Sequence, residues 1–78
     1  MSRLPKLSGK EVIKILVRDF GFEISRQRGS HVVLRKFEAG RKIVTVVPLH
    51  DELKRGTLLG IIKLAGIKRE EFLEKISR

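Results

Sequence analysis

The sequence predicts an α+β fold in which a three-stranded antiparallel sheet carries helices on one face, in the order α-β-β-β-α-α. Three observations predict it. Apolar residues between Ser8 and Phe20 recur with helical spacing, the stretch from Phe22 to Pro48 reads as strand runs broken by glycine-containing turns, and helical spacing returns from Thr57 to Ile76. Connections this short between strands favour an antiparallel meander over parallel crossovers. The chain of 78 residues fits one domain, residues 1–78, built round one core.

Ser8 with Glu11 three residues on is a capping box, and Val12, Ile13, Leu16, Val17 and Phe20 follow as one helical stripe. The first helix therefore runs from Gly9 to Phe20, with Gly21 as its left-handed stop. Phe22 to Gln27 alternates apolar with polar as a half-buried strand, so Phe22 and Ile24 point the same way. Gly29-Ser30 is a turn, His31 to Phe37 a second strand, Glu38-Ala39-Gly40-Arg41 a hairpin turn, and Lys42 to Val47 a third strand ended by Pro48. The second helix, Thr57 to Ala65, is apolar on most sides and should be the most buried, with Gly66 as its stop. A last helix, Arg69 to Ile76, offers Phe72, Leu73 and Ile76 to the same core.

Helices on one face leave the other face of the sheet open. In the second strand the period of two puts His31, Val33 and Arg35 on one side and Val32, Leu34 and Lys36 on the other. His31 and Arg35 belong outward, because burying an unpaired guanidinium costs more than exposing Val33.

Eighteen Lys and Arg against nine Asp and Glu give a net charge of +9, a one-sided excess that points to nucleic acid or another polyanion. No cysteine is present, so disulfides and thiolate metal sites are excluded and the composition fits a reducing interior, the cytoplasm. Met1 to Pro5 lacks a signal-peptide run, and no apolar stretch has membrane-spanning length, so no membrane partner is expected. Nucleotide-binding loops of the Walker or dinucleotide type are absent.

The chemistry concentrates at Gly29-Ser30-His31. Gly29 permits close backbone approach, Ser30 brings a hydroxyl and a backbone donor, and Arg26, Arg28 and Arg35 are phosphate-binding candidates beside the imidazole. Cleavage of a phosphodiester at a ribose 2′-hydroxyl needs a base for that hydroxyl, an acid for the leaving 5′-oxygen, and cations for the charge that builds between them. Imidazole can serve either proton step and guanidinium the charge. The plainer reading is a strand histidine that merely packs against its neighbours.

His50 is a possible second player, or simply a solvated loop histidine. His50-Asp51-Glu52 makes a poor metal site, since neighbours in a loop do not converge as ligands and no second acidic cluster exists. No metal and no cofactor are therefore expected. Lys54-Arg55 at the start of the second helix joins two cations to free backbone amides, a phosphate site or an ordinary solvated helix start. Of the four phenylalanines, Phe20, Phe22 and Phe72 read as core and Phe37 as a strand end, so no aromatic stacking platform is expected.

In order and spacing, Ser8-Gly9-Lys10-Glu11, Gly29-Ser30-His31, Val46-Val47-Pro48-Leu49-His50, Lys54-Arg55-Gly56-Thr57-Leu58 and Leu64-Ala65-Gly66-Ile67 resemble the HicA (YcfA-like) family of messenger-RNA-cleaving toxins over nearly the whole chain. The resemblance implies a fold like a double-stranded-RNA-binding domain, a metal-independent endoribonuclease, and a HicB-type antitoxin covering the active site. It carries the family's catalytic histidine onto His31 and its lead-in onto Gly29 and Ser30, and sets Lys54-Arg55 where such folds contact phosphate. Val32 departs from the pattern: many relatives carry a polar residue or histidine there, which would be one more proton partner. Two rivals stay open, a non-catalytic RNA-binding module using the same basic sheet and a domain whose basic face meets an acidic protein.

Overall fold

Ser8 caps the first helix from both sides. Its hydroxyl accepts from the Glu11 amide at 3.1 Å, its own amide donates to Glu11 Oε1 at 2.8 Å, and helix α1 runs Gly9–Phe20 before Gly21 ends it with φ 74°. The structure, a computed structural model, describes residues 4–76. Met1, Ser2 and Arg3, the head of the stretch read for a signal peptide, lie outside the described residues, as do Ser77 and Arg78.

Strands β1 (Glu23–Arg28), β2 (His31–Glu38) and β3 (Arg41–Pro48) form one antiparallel sheet in the order β1-β2-β3. Helices α2 (Arg55–Leu64) and α3 (Arg69–Ile76) complete the α-β-β-β-α-α succession. The two hairpin turns differ in chemistry. Gly29 alone has positive φ (58°) between Arg28 and His31, the requirement of a type II′ turn, whereas Ala39 (52°) and Gly40 (74°) are both left-handed between Glu38 and Arg41, as type I′ demands.

The core lies between the sheet and the helices. Val32, Leu34 and Val47 face Val12, Ile15 and Leu16 of α1, Leu58, Ile61 and Ile62 of α2, and Phe72 of α3. Phe20 and Phe72 stack with ring centroids 6.3 Å apart, which ties α3 to α1. Thr45 is wholly buried yet satisfied, its hydroxyl donating to the Ile61 carbonyl at 2.9 Å.

Three expectations need correction. Ile24 does not share the burial of Phe22: it is 57% exposed against 2%, because α1 and α2 lie over the sheet near β3 and leave edge strand β1 uncovered. Helix α2 begins at Arg55 rather than Thr57, with Lys54 as a cap that supplies no side-chain bond, so no capping residue marks its start. That helix also buries one stripe only, Leu58, Ile61 and Ile62, continued by its cap Ala65, while Leu64 falls outside it and is 64% exposed.

The fold gathers distant segments at one end of the sheet, where β2 starts and β3 finishes. His31 pairs with Pro48, the Leu49 amide donates to the Ser30 carbonyl at 2.7 Å, and the Gly9 amide donates to the His50 carbonyl at 2.9 Å. Gly9 has to be glycine for that approach, since a Cβ there would run into the Pro48 carbonyl oxygen.

Candidate functional site on the open sheet face

The residues on the open face follow from the register, because cross-strand partners share a face. Row by row these are Arg28, His31 and Pro48, then Arg26, Val33 and Val46, then Glu23, Arg35 and Val44, and finally Phe37 with Lys42. Burial agrees: Val32 and Leu34 are buried on the helical side, His31 is exposed and Arg35 half-exposed. The outward reading of His31 and Arg35 is therefore what the structure has.

Arg26 and Arg28 reach this face through an irregularity in β1. Ile24 pairs with Leu34 and Arg26 with Val33, so Ser25 is an extra residue, a β-bulge. Unbroken alternation from Ile24 would have turned Arg26 and Arg28 toward the helices. The bulge and the Gly29-Ser30 turn together set Arg28 directly across from His31.

The cations are not equivalent. Arg35 Nε bonds Glu23 Oε1 at 3.0 Å, and its guanidinium lies 5.9 Å from the Phe37 ring centroid. Lys36 points the other way: its ammonium donates to the Phe20 carbonyl at 3.0 Å, pairs with Glu38 at 3.1 Å and lies over the Phe22 ring, stabilising the C-terminal end of α1. Arg26, Arg28 and Lys42 are exposed on the open face and have no partner among the described residues.

Around the imidazole the turn is fixed by its carbonyls. Gln27 Nε2 donates to the Gly29 oxygen at 3.0 Å and the Ser30 oxygen accepts from Leu49, while the Ser30 hydroxyl and the His31 ring have no hydrogen-bond partner among the described residues. His50 is exposed, with its backbone held against α1 at the same end of the sheet. Lys54 and Arg55 are exposed at the start of α2, which runs back along β3 so that Ile61 reaches Thr45. They thus lie toward the His31 end of the molecule, on the helical layer rather than the open face.

Val32 is 3% exposed and pairs with Val47, so a side chain at that position faces the core and offers nothing to the open face. Among the described residues no three His, Cys, Asp or Glu side chains group together as metal ligands do, His50-Asp51-Glu52 included. No described helix is long and apolar enough to cross a membrane.

The sequence reading missed Phe37. In sequence it reads only as a strand end, which it is, yet it is also 65% exposed on the face of His31, and the signal was its even spacing from His31 along one strand.

The fold and the face define a small basic α+β domain that presents the exposed His31 imidazole, with Arg28 across from it, at the end of an open three-stranded sheet. The family model described as the HicA toxin of bacterial toxin-antitoxin systems matches residues 9–67, and the chain belongs to that family. It is thus the toxin of a toxin–antitoxin pair, with an antitoxin as its partner. Searches of curated proteins and of solved structures returned no match.

Proposed function

We propose that this toxin is a metal-independent endoribonuclease acting on messenger RNA in the cytoplasm. The observation that carries the reading is the exposed His31 imidazole with Arg28 directly across the hairpin, on a chain that belongs to a toxin family. His31 is the catalytic residue, taking the proton of the ribose 2′-hydroxyl or giving one to the leaving 5′-oxygen. Attack of that hydroxyl on the adjacent phosphorus forms one P–O bond and breaks the other, leaving a 2′,3′-cyclic phosphate and a 5′-hydroxyl.

Arg26, Arg28 and Arg35 contact the phosphate and stabilise the charge that builds on its oxygens. Gly29 and Ser30 let the RNA backbone approach the turn, and Lys54 and Arg55 hold phosphates farther along the strand. His50 is the candidate for the second proton transfer. A HicB-type antitoxin would silence the toxin by covering the open face.

The test compares the purified protein with His31→Ala on a long single-stranded RNA in the presence of EDTA. Wild-type cleavage with a loss of about 10²- to 10⁴-fold in the variant is the expected result. Equal cleavage by both proteins removes His31 from the chemistry. RNA binding without fragments at any protein excess returns the molecule to a non-catalytic binding module.

A further inference from the structure

Polarity runs along the open face. At the His31 end stand Arg26 and Arg28; at the far end Glu23 is bonded to Arg35, and the exposed ring of Phe37 has Lys42 as its cross-strand partner, while Lys36 and Glu38 pair on the helical side. The guanidinium groups, unpaired among the described residues, favour phosphate at the first end, while at the second Glu23 takes up Arg35 and an aromatic ring is presented. An exposed aromatic ring with a guanidinium near it is what a nucleobase stacks on. The ring also borders an open cleft of about 440 Å³ lined by Phe20, Gly21, Glu23, Lys36 and Glu38, with room at its edge for a flat group.

His31 and Phe37 are six positions apart on one strand, hence on one face and about 20 Å apart. Between them Val33, Val44 and Val46 give a floor that bases can lie on. We propose that Phe37 is a base-stacking residue that positions single-stranded RNA along β2, a few nucleotides from the bond at His31. This rests on the ribonuclease reading above and adds to it the strandedness of the substrate and its direction across the sheet. A duplex keeps its bases stacked on each other and has none to give the ring.

The experiment uses the full chain carrying His31→Ala, so that RNA stays intact, with and without Phe37→Ala or Phe37→Tyr. Dissociation constants are measured by fluorescence anisotropy for a short labelled single-stranded RNA and for its duplex, with melting temperatures recorded alongside. Phe37→Ala should weaken single-strand binding by about 5- to 150-fold and leave duplex binding and melting unchanged, while Phe37→Tyr restores the single strand. Single-strand affinity that does not change, or that falls in parallel with duplex affinity, overturns the proposal.

A parallel cleavage assay with the wild-type residue at 31 separates the two readings. Phe37-dependent binding without cleavage ends the ribonuclease reading and leaves the stacking residue standing. Cleavage with Phe37-independent binding does the reverse.

Discussion

Arg28 and His31 are register partners across the β1–β2 hairpin, on the same face of the sheet, and only the Gly29-Ser30 turn separates them in sequence. Cross-strand partners of this kind hold their Cβ atoms roughly 5 Å apart, so one phosphate can be reached by both side chains. Arg28→Ala should therefore lower cleavage by about 10²-fold, in the range for loss of one donor to a developing anion, and Arg28→Lys should recover part of it. Measuring kcat and KM separately tests the role: a transition-state contact lowers kcat, whereas a contact that only binds RNA raises KM.

Lys54 and Arg55 are set apart from His31 on the helical layer, and their expected effect differs accordingly. Replacing both with Gln should weaken RNA binding across sequences and reduce the slope of log K against log salt by about 0.7 for each phosphate that is no longer held. An unchanged slope makes the start of α2 an ordinary solvated one.

Gly9 lets α1 reach the loop after β3, where its amide meets the His50 carbonyl and no Cβ fits against Pro48. The obstacle is backbone, which cannot rotate aside. Gly9→Ala should destabilise the fold by about 1–3 kcal/mol, as overpacking does, and move the His50 loop with it. Chemical denaturation gives the first quantity, and the His50 ring signals in an NMR spectrum report the second.

Glu11 is held below the usual carboxylate range, chiefly by the backbone amide of Ser8 and then by the Ser8 hydroxyl. A carboxylate whose folded pKa is depressed contributes stability above its unfolded pKa and loses it as pH falls through the folded value. Glu11→Gln keeps a capping-box acceptor but does not titrate. Its melting temperature should fall less than that of the wild type on acidification below the ordinary carboxylate range. Parallel melting curves across that range would sever the cap from the acid sensitivity.

Ala39 has φ 52° as the first central residue of the β2–β3 turn, where Asn is favoured and a Cβ without a polar group is strained. Ala39→Asn should stabilise the protein by roughly 1 kcal/mol, raising the melting temperature by about 4–8 °C. RNA cleavage should not change, since the turn lies at the opposite end of β2 from His31.

The elements were legible because their signals are local. Ser8, Glu11 and Gly21 bound α1 at the residues the capping box and glycine stop require, and Val32 and Leu34 against His31 and Arg35 give β2 its two faces. Ile24 and Leu64 misled for different reasons: Ile24 shares the side of Phe22 but the helices leave β1 uncovered there, and Leu64 is one of many apolar residues of α2 but lies off the stripe that the helix buries. Lys36 lies on the side of the strand opposite His31, as the alternation predicts, and there it stabilises the end of α1. Phe37 reads only as a strand end, because sequence position does not reveal which strand ends the helices cover.

By itself the sequence determined the α-β-β-β-α-α order, the limits of α1, the outward aspect of His31 and the family resemblance that the family match bears out. Only the tertiary structure decided that Arg26 and Arg28 share the face of His31 and Arg35. The single extra residue at Ser25 inverts the alternation of β1 and turns Arg26 and Arg28 outward, while Glu23 pairs with Arg35. Caps and periodicity act within a turn or two of chain, but a side chain's face is set by register, and one residue more or less in a strand reverses it.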